Sequence, residues 1–569
     1  MSSLIAARDT YVLRRRFDMP HGNGTIDAWA VSSSQGIIII SFYTIMMKAI
    51  VTYFWMAVVL FGVGLFLQRH SPHDSDSSAT TTTIGLWNFR HSPQQVIYFM
   101  IRRAFAVRTS RDLWYPLIWF AVAAVALAAS LVVPILKTQS LKIGNVAPVN
   151  PKSVFVPYYF DPNSDMLETA QQMVLAVPAA MRAVGAAGTI PANTVFISNA
   201  TSSSENGTVF QLDYRYGISG SDFGLQKTPD LWLNVSGSCI TDYTWYQYED
   251  ESGGDVYHMF NDPSNVQVVY PSLDHGPAFA TAYVDARDGY ISISNISYAL
   301  LVSSVGRQSL SNSTDPWYAT ENIVNNNPPW LYQVKNERPP LSCREETVWS
   351  YRGHTNDTLH LRELTDNRLS KPVYIALSQN LYNPMVTLMT DRIGRSSLAS
   401  STTYVQSGFD AKQCSVIADM TRLINTSYIA TRNILSDSTT MSVQGRGDLL
   451  NVFSAFSANN SGSDEFVISS PDIITLSVKA LIIVPTVFVG VIVLLVVLAF
   501  LPDPWRSSKE LNATRLHALK RQNAKTKTRD LRESKGNENG RQDDRRDANE
   551  NDGGNVGKEV HNIVTSINA

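Results

Sequence analysis

The chain has 569 residues, 47 Lys+Arg against 49 Asp+Glu, and a formal charge of -2. Only 17% of its residues are charged, against roughly 25% in an average soluble protein. This excludes a disordered polyelectrolyte and a strongly basic nucleic-acid binder, so no nucleic-acid partner is expected. Three cysteines exclude a disulfide-dense scaffold.

The low charge has a local cause, because apolar residues gather in long runs. A polar N-terminal segment, 1–36, precedes the first run at 37–67. As one helix that run is about 46 Å long, more than the roughly 30 Å hydrocarbon core of a bilayer. Lys48 interrupts it. The economical span is 46–67, with Lys48 snorkelling to the nearer interface and 37–45 reaching the headgroups or absorbed by tilt. A basic loop, 68–112, follows. Its stretch 71–83 reads as a flexible polar linker. Its stretch 93–111 mixes apolar residues with Arg, as in a helix lying on the membrane face or a packed juxtamembrane helix.

The second run, 113–136, opens with Trp114, Tyr115 and Trp119, as in an aromatic belt. Ala124 with Ala128, and Ala126 with Ser130, are small-residue pairs that let another helix approach. The third run, 476–501, is the most apolar, with Lys479 at its start and Pro485 in its first turns. The tail, 502–569, is polar and expected to be disordered. Arg506, Lys509, Arg515, Lys520 and Arg521 lie in its membrane-proximal part. Lys/Arg bias puts this tail and the Arg-rich 68–112 loop in the cytosol and the long 137–475 segment outside. Arg14, Arg15 and Arg16 oppose the external N-terminus that three spans require. No cleavable signal peptide is visible, and the first run is the expected targeting signal.

Segment 137–475 alternates apolar and polar residues with β-branched and aromatic enrichment. Strands are expected at 193–200, 207–217, 230–237, 265–271, 289–304 and 371–378, and helices at 164–187 and 410–435. The expected fold is a multi-span α-helical membrane protein, with about three transmembrane helices, carrying a large β-rich α+β extracytoplasmic domain. N-glycosylation acceptors occur at Asn199, Asn206, Asn234, Asn295, Asn312, Asn356, Asn425 and Asn459. Roughly five such sequons would arise by chance. Asn23 also matches and tests the sidedness of the N-terminus, and Asn512 matches in the tail. Cys239, Cys343 and Cys414 allow one disulfide, with three pairings open and one thiol left over.

No catalytic, metal-binding or cofactor-binding residue is assigned. His258, His275, His354 and His360 form no zinc pattern. GISGS at 217–221 lacks the last glycine of a nucleophile elbow. The acidic loop at 248–255, with Glu249, Asp250, Glu251 and Asp255, lacks EF-hand spacing and reads as solvated. Arg446-Gly447-Asp448 is too short to carry weight as an integrin ligand. Tyr243, Trp245, Tyr246 and Tyr248 sit together at 241–250, where alternation points to a core face and exposure would allow stacking on sugars.

The layout, together with SGSCITDYTWYQ at 236–247, resembles membrane proteins of filamentous fungi. These have spans near the N-terminus, one large glycosylated ectodomain, a C-terminal span and a polar tail. The resemblance implies a fungal surface or endomembrane location and carries over no activity. The expected protein is a membrane glycoprotein, non-enzymatic, whose external domain binds a protein or carbohydrate partner, a wall polymer or another ligand. A plasma-membrane location is favoured, and the lipid bilayer is a partner. A membrane-anchored ectoenzyme and an accessory subunit of a transporter or biosynthetic assembly are the alternatives.

Overall fold

The computed structural model describes residues 8–69, 78–106, 110–154, 166–204, 207–271, 278–285, 294–327, 330–402, 410–439, 462 and 465–500. The linker at 71–77, Asn206, His275, Arg446-Gly447-Asp448, Asn459 and the tail with Asn512 lie outside them. The chain divides into two units, Met1–Met47 with Pro134–Thr486, and Lys48–Val133 with Val487–Ala569.

The first unit is built on an antiparallel sheet of seven strands. Their order is β11 (Ala280–Val284), β12 (Asn295–Val302), β16 (Leu341–Tyr351), β7 (Trp232–Thr241), β6 (Gly207–Ser219) and β5 (Val195–Ser204), with β17 (His354–Asn356) folded back on β16. The two-residue period sorts the side chains. On β7, Leu233, Val235 and Cys239 are buried while Trp232, Asn234, Ser236 and Ser238 are exposed. The inner face joins one large core that takes in helices α5 (Met166–Ala187), α6 (Lys371–Asn380), α7 (Met385–Ile393) and α8 (Val416–Arg432). Tyr216 of β6 meets Tyr428 of α8 edge-on, centroids 5.6 Å apart.

One half of the outer face is roofed by a sheet of β10 (Val266–Val269), β9 (Asp255–His258) and β8 (Tyr246–Glu249). Trp245, Tyr257 and Met259 seal it onto Ala299 and Leu301 of β12. The other half stays open. Two small sheets complete this part: β13 (Gln308–Ser309), β15 (Trp330–Val334) and β14 (Thr320–Asn327); and β18 (Val467–Ser469) with β4 (Val146–Pro148).

A four-stranded sheet, β1 (Arg16–His21), β2 (Gly24–Ser32), β19 (Ile473–Ser477) and β3 (Lys142–Gly144), joins distant parts of the chain. Every long apolar helix attaches to it. Helix α1 (Ser33–Arg69) follows β2 directly, α9 (Val478–Phe500) follows β19 directly, and α4 (Ser110–Gln139) leads into β3. Gly36 of α1 lies where a Cβ would meet Ile474 at 2.7 Å. Tyr43 donates to the Leu481 carbonyl at 2.8 Å. Helix α1 therefore turns back along β19, and its third turn runs beside the first turn of α9.

In the second unit, α2 (Ser78–Asn88) and α3 (Pro93–Ala106) bury Leu86, Val96 and Met100 with Trp55, Val59 and Val63 of α1 and Trp119 and Ala123 of α4. Glycine permits two close approaches. A Cβ on Gly62 would lie 2.3 Å from the Trp119 ring, and one on Gly85 would lie 2.0 Å from Phe99. The windows long and apolar enough to cross a membrane are Ser33–Gly64, Pro116–Leu136 and Val478–Leu498.

Several expectations change. Residues 371–378 are helical, not a strand: Pro372, Val373, Ala376 and Leu377 bury one helical face, which a short alternating window also mimics. Residues 78–83, read as linker, begin α2, with Thr82 and Thr83 buried. The first helix starts at Ser33 on the end of β2, so Lys48 lies well inside it rather than near an end. Leu476 and Ser477 belong to β19, and the third apolar helix begins at Val478. Segment 1–36 contains a paired hairpin.

Candidate functional site

The open half of the outer face is ordered by strand register. One row runs Ser198, Asp213, Ser238, Arg344, Ser297 across β5, β6, β7, β16 and β12. The next runs Phe196, Arg215, Ser236, Glu346, Asn295 across the same strands. Strand β7 therefore supplies a low floor of serines. On either side stand β6 and β16, separated by two inter-strand spacings, roughly 10 Å. Their charges alternate: Asp213 faces Arg344 in one row, and Arg215 faces Glu346 in the other. The resulting trough holds about 520 Å³. Arg215 lies over the Phe196 ring at 4.5 Å. Arg344 Nε donates to Asn295 Oδ1 at 2.5 Å. The Asp213 and Glu346 carboxylates have no hydrogen-bonding or ionic partner among the described residues, so both can accept hydrogen bonds from a ligand.

A second recess, about 980 Å³, adjoins it around Phe196, Trp232 and Asn234, with Asn199 of β5 and Asn425 of α8 also on its walls. Trp232 Nε1 donates to Asn234 Oδ1 at 2.7 Å. The indole lies over Gly217, where a Cβ would come within 2.7 Å of Nε1.

The carboxyls with strongly raised pKa values lie elsewhere, inside the domain. Burial pushes Glu345 up to about 7, partly countered by Tyr214, which donates to it at 2.6 Å. Burial likewise raises Asp419 and Asp315 to about 6. Asp419 accepts from Tyr318 and from the Ser400 amide, and Asp315 from the Trp317 and Val416 amides. These bonds tie loops to helices within the core.

The residues singled out by sequence scatter over the unit. Asn199, Asn234, Asn312 and Asn356 are exposed, Asn295 and Asn425 are half-buried, and Asn23 is exposed in the β1–β2 turn. Cys239 and Cys343 are direct cross-strand partners at disulfide distance, while Cys414 is buried and donates to the Asp410 carbonyl at 3.2 Å. His360 pairs with Asp357 at 2.7 Å, and His354 is exposed on β17. In the acidic loop, Asp250 caps the Ser252 and Gly254 amides of a hairpin turn, and Asp255 is buried against Tyr257 and the Glu337 amide. Among the described residues no group of His, Cys, Asp and Glu could hold a metal. Ser219, in GISGS, caps a short helix reciprocally with Asp222. Of the 241–250 aromatics, Trp245 is buried and Tyr248 is exposed. Sequence reading missed the trough. Its only trace is polar residues two apart on three strands, Asp213/Arg215, Ser236/Ser238 and Arg344/Glu346.

Three helices long and apolar enough to span a membrane, joined to a large β-rich domain, define the architecture of a membrane-associated protein. The chain belongs to the family described as Domain of unknown function (DUF8406), which matches residues 177–468. That stretch runs from within α5 to β18, so all three long apolar helices fall outside it. No curated protein and no solved structure matches the chain.

Proposed function

We propose that this protein is a three-span membrane glycoprotein that holds its β-rich domain outside the cytosol and binds a carbohydrate polymer in the serine-floored trough. The observation that carries the reading is the pair of facing rows, Asp213 opposite Arg344 and Arg215 opposite Glu346, over Ser236 and Ser238. Sugar hydroxyls donate to carboxylates and accept from guanidinium groups, and Phe196 offers a half-exposed ring beside them. The resemblance to filamentous-fungal membrane proteins supports a wall polysaccharide at the plasma membrane. For topology, β2 and β19 share one sheet, which supports the N-terminus and the domain lying on the same side.

The test is binding of the detergent-solubilised full-length protein to insoluble β-glucan, chitin and mannan, compared with an Asp213→Asn/Glu346→Gln variant. Hydrogen bonds to charged groups contribute about 1.5–3 kcal/mol each, so the double variant should bind at least about tenfold more weakly. Wild-type protein that binds none of these polymers, or a variant that binds equally well, defeats the reading. Release of soluble sugar during the assay would favour the ectoenzyme, and a co-purifying polytopic protein the accessory subunit.

A further inference from the structure

The larger recess differs from the trough in carrying asparagines of three acceptor sequons, Asn199, Asn234 and Asn425, on its walls. Asn234 is the one built for a sugar. Residues two apart on a strand share a face, so Trp232 stands beside it. The glycine at 217 leaves room for the indole to lie down on β6. The indole N–H holds the Asn234 Oδ1, which leaves Nδ2, the atom that accepts the glycan, without a partner among the described residues. The Trp232 side chain remains 41% exposed. An apolar ring face thus lies open next to the acceptor nitrogen, as a first sugar ring needs for stacking.

We propose that Asn234 carries an N-glycan whose first N-acetylglucosamine packs on the Trp232 indole, so that the recess is a bed for the chain's own carbohydrate and not a ligand pocket. This rests on the external placement of the domain. In the transfer, Asn234 Nδ2 bonds to the anomeric carbon of the sugar. That carbon's bond to the diphosphate of a lipid-linked donor breaks, the lipid diphosphate leaves with the electron pair, and the amide gives up one proton to base. Once attached, the glycan covers apolar surface of Trp232 that is otherwise in water.

The test uses full-length protein from a glycosylating host, with Trp232→Ala, Ser236→Ala and the double variant. Ser236→Ala removes the sequon but keeps Asn234 and its bond to the indole. Mass spectrometry should find Asn234 occupied. Ser236→Ala should lower the melting temperature by about 1–2 °C, the shift about 1 kcal/mol produces in a domain of this size. Trp232→Ala should lose most of its own effect in the Ser236→Ala background, and should let glycosidase trim the Asn234 glycan faster in native protein. Additive effects of the two substitutions overturn the packing. Glycans at Asn312 and Asn356 with none at Asn234 overturn this site alone. A chain with no glycan at any of these sites overturns both this site and the external placement.

Discussion

Glu345 shows how a residue can look functional and be structural. It faces inward from β16, and its carboxyl accepts from Tyr214, whose hydroxyl lies 2.9 Å from that of Tyr298. Burial raises its pKa from 4.5 to about 7. Below about pH 4.5 both folded and unfolded chains hold this proton and burial carries no ionisation cost. Between 4.5 and 7 the unfolded chain ionises first, so stability falls as pH rises. Above 7 the loss levels off at about 3 kcal/mol. Asp315 and Asp419 tilt the curve the same way up to about pH 6. Melting curves should therefore show higher stability at pH 5 than at pH 7. A Glu345→Gln variant should lose part of that difference, and equal slopes for the two proteins would refute the assignment. Sequence could not single out Glu345, because its neighbours in REET, Arg344, Glu346 and Thr347, are polar residues left exposed or half-buried. The sequons, by contrast, are readable residue by residue, and none of their described asparagines is buried.

Among elements, the three apolar helices and most strands of the main sheet follow from periodicity. Strand β7 and helix α5 each satisfy their period over ten residues or more. Shorter pieces fail: 371–378 fits either period over eight residues, and only its packing with α6's neighbours makes it a helix. The register that builds the trough is out of reach for another reason. It joins residues more than 100 positions apart, such as Ser238 and Arg344, and no local pattern specifies which strands pair. Close helix approach is likewise written in one residue. On α1, Gly62 receives the Trp119 ring of α4. A Gly62→Leu substitution should displace that ring and cost about 1–3 kcal/mol. Its check is the detergent melting temperature, with Ala124→Leu as the comparison.

At the scale of the whole molecule, the four-stranded sheet bears on the proposed topology. Arg14, Arg15 and Arg16 read as a cytosolic signal, yet β1 pairs with β2 and β2 with β19, which lies between the domain and the last apolar helix. The exposed Asn23, in the β1–β2 turn, then shares the domain's side. An Asn23→Gln variant should lose the mobility of one glycan on a gel, and N-glycosidase should abolish the difference. Unchanged mobility alongside glycosylation of the domain would place the hairpin across the membrane from β19 and break the sheet.

The same sheet also imposes a timetable. Ser32 at the end of β2 pairs with Ile473 at the start of β19. At about 5–20 residues per second, ribosomes need on the order of a minute to make the chain between them. During that time β2 has an unsatisfied edge, the kind of surface that recruits wrong partners. The first folded strands of the protein wait for nearly the last. A message truncated anywhere before β19 therefore yields a chain whose hairpin keeps an unpaired β2 edge.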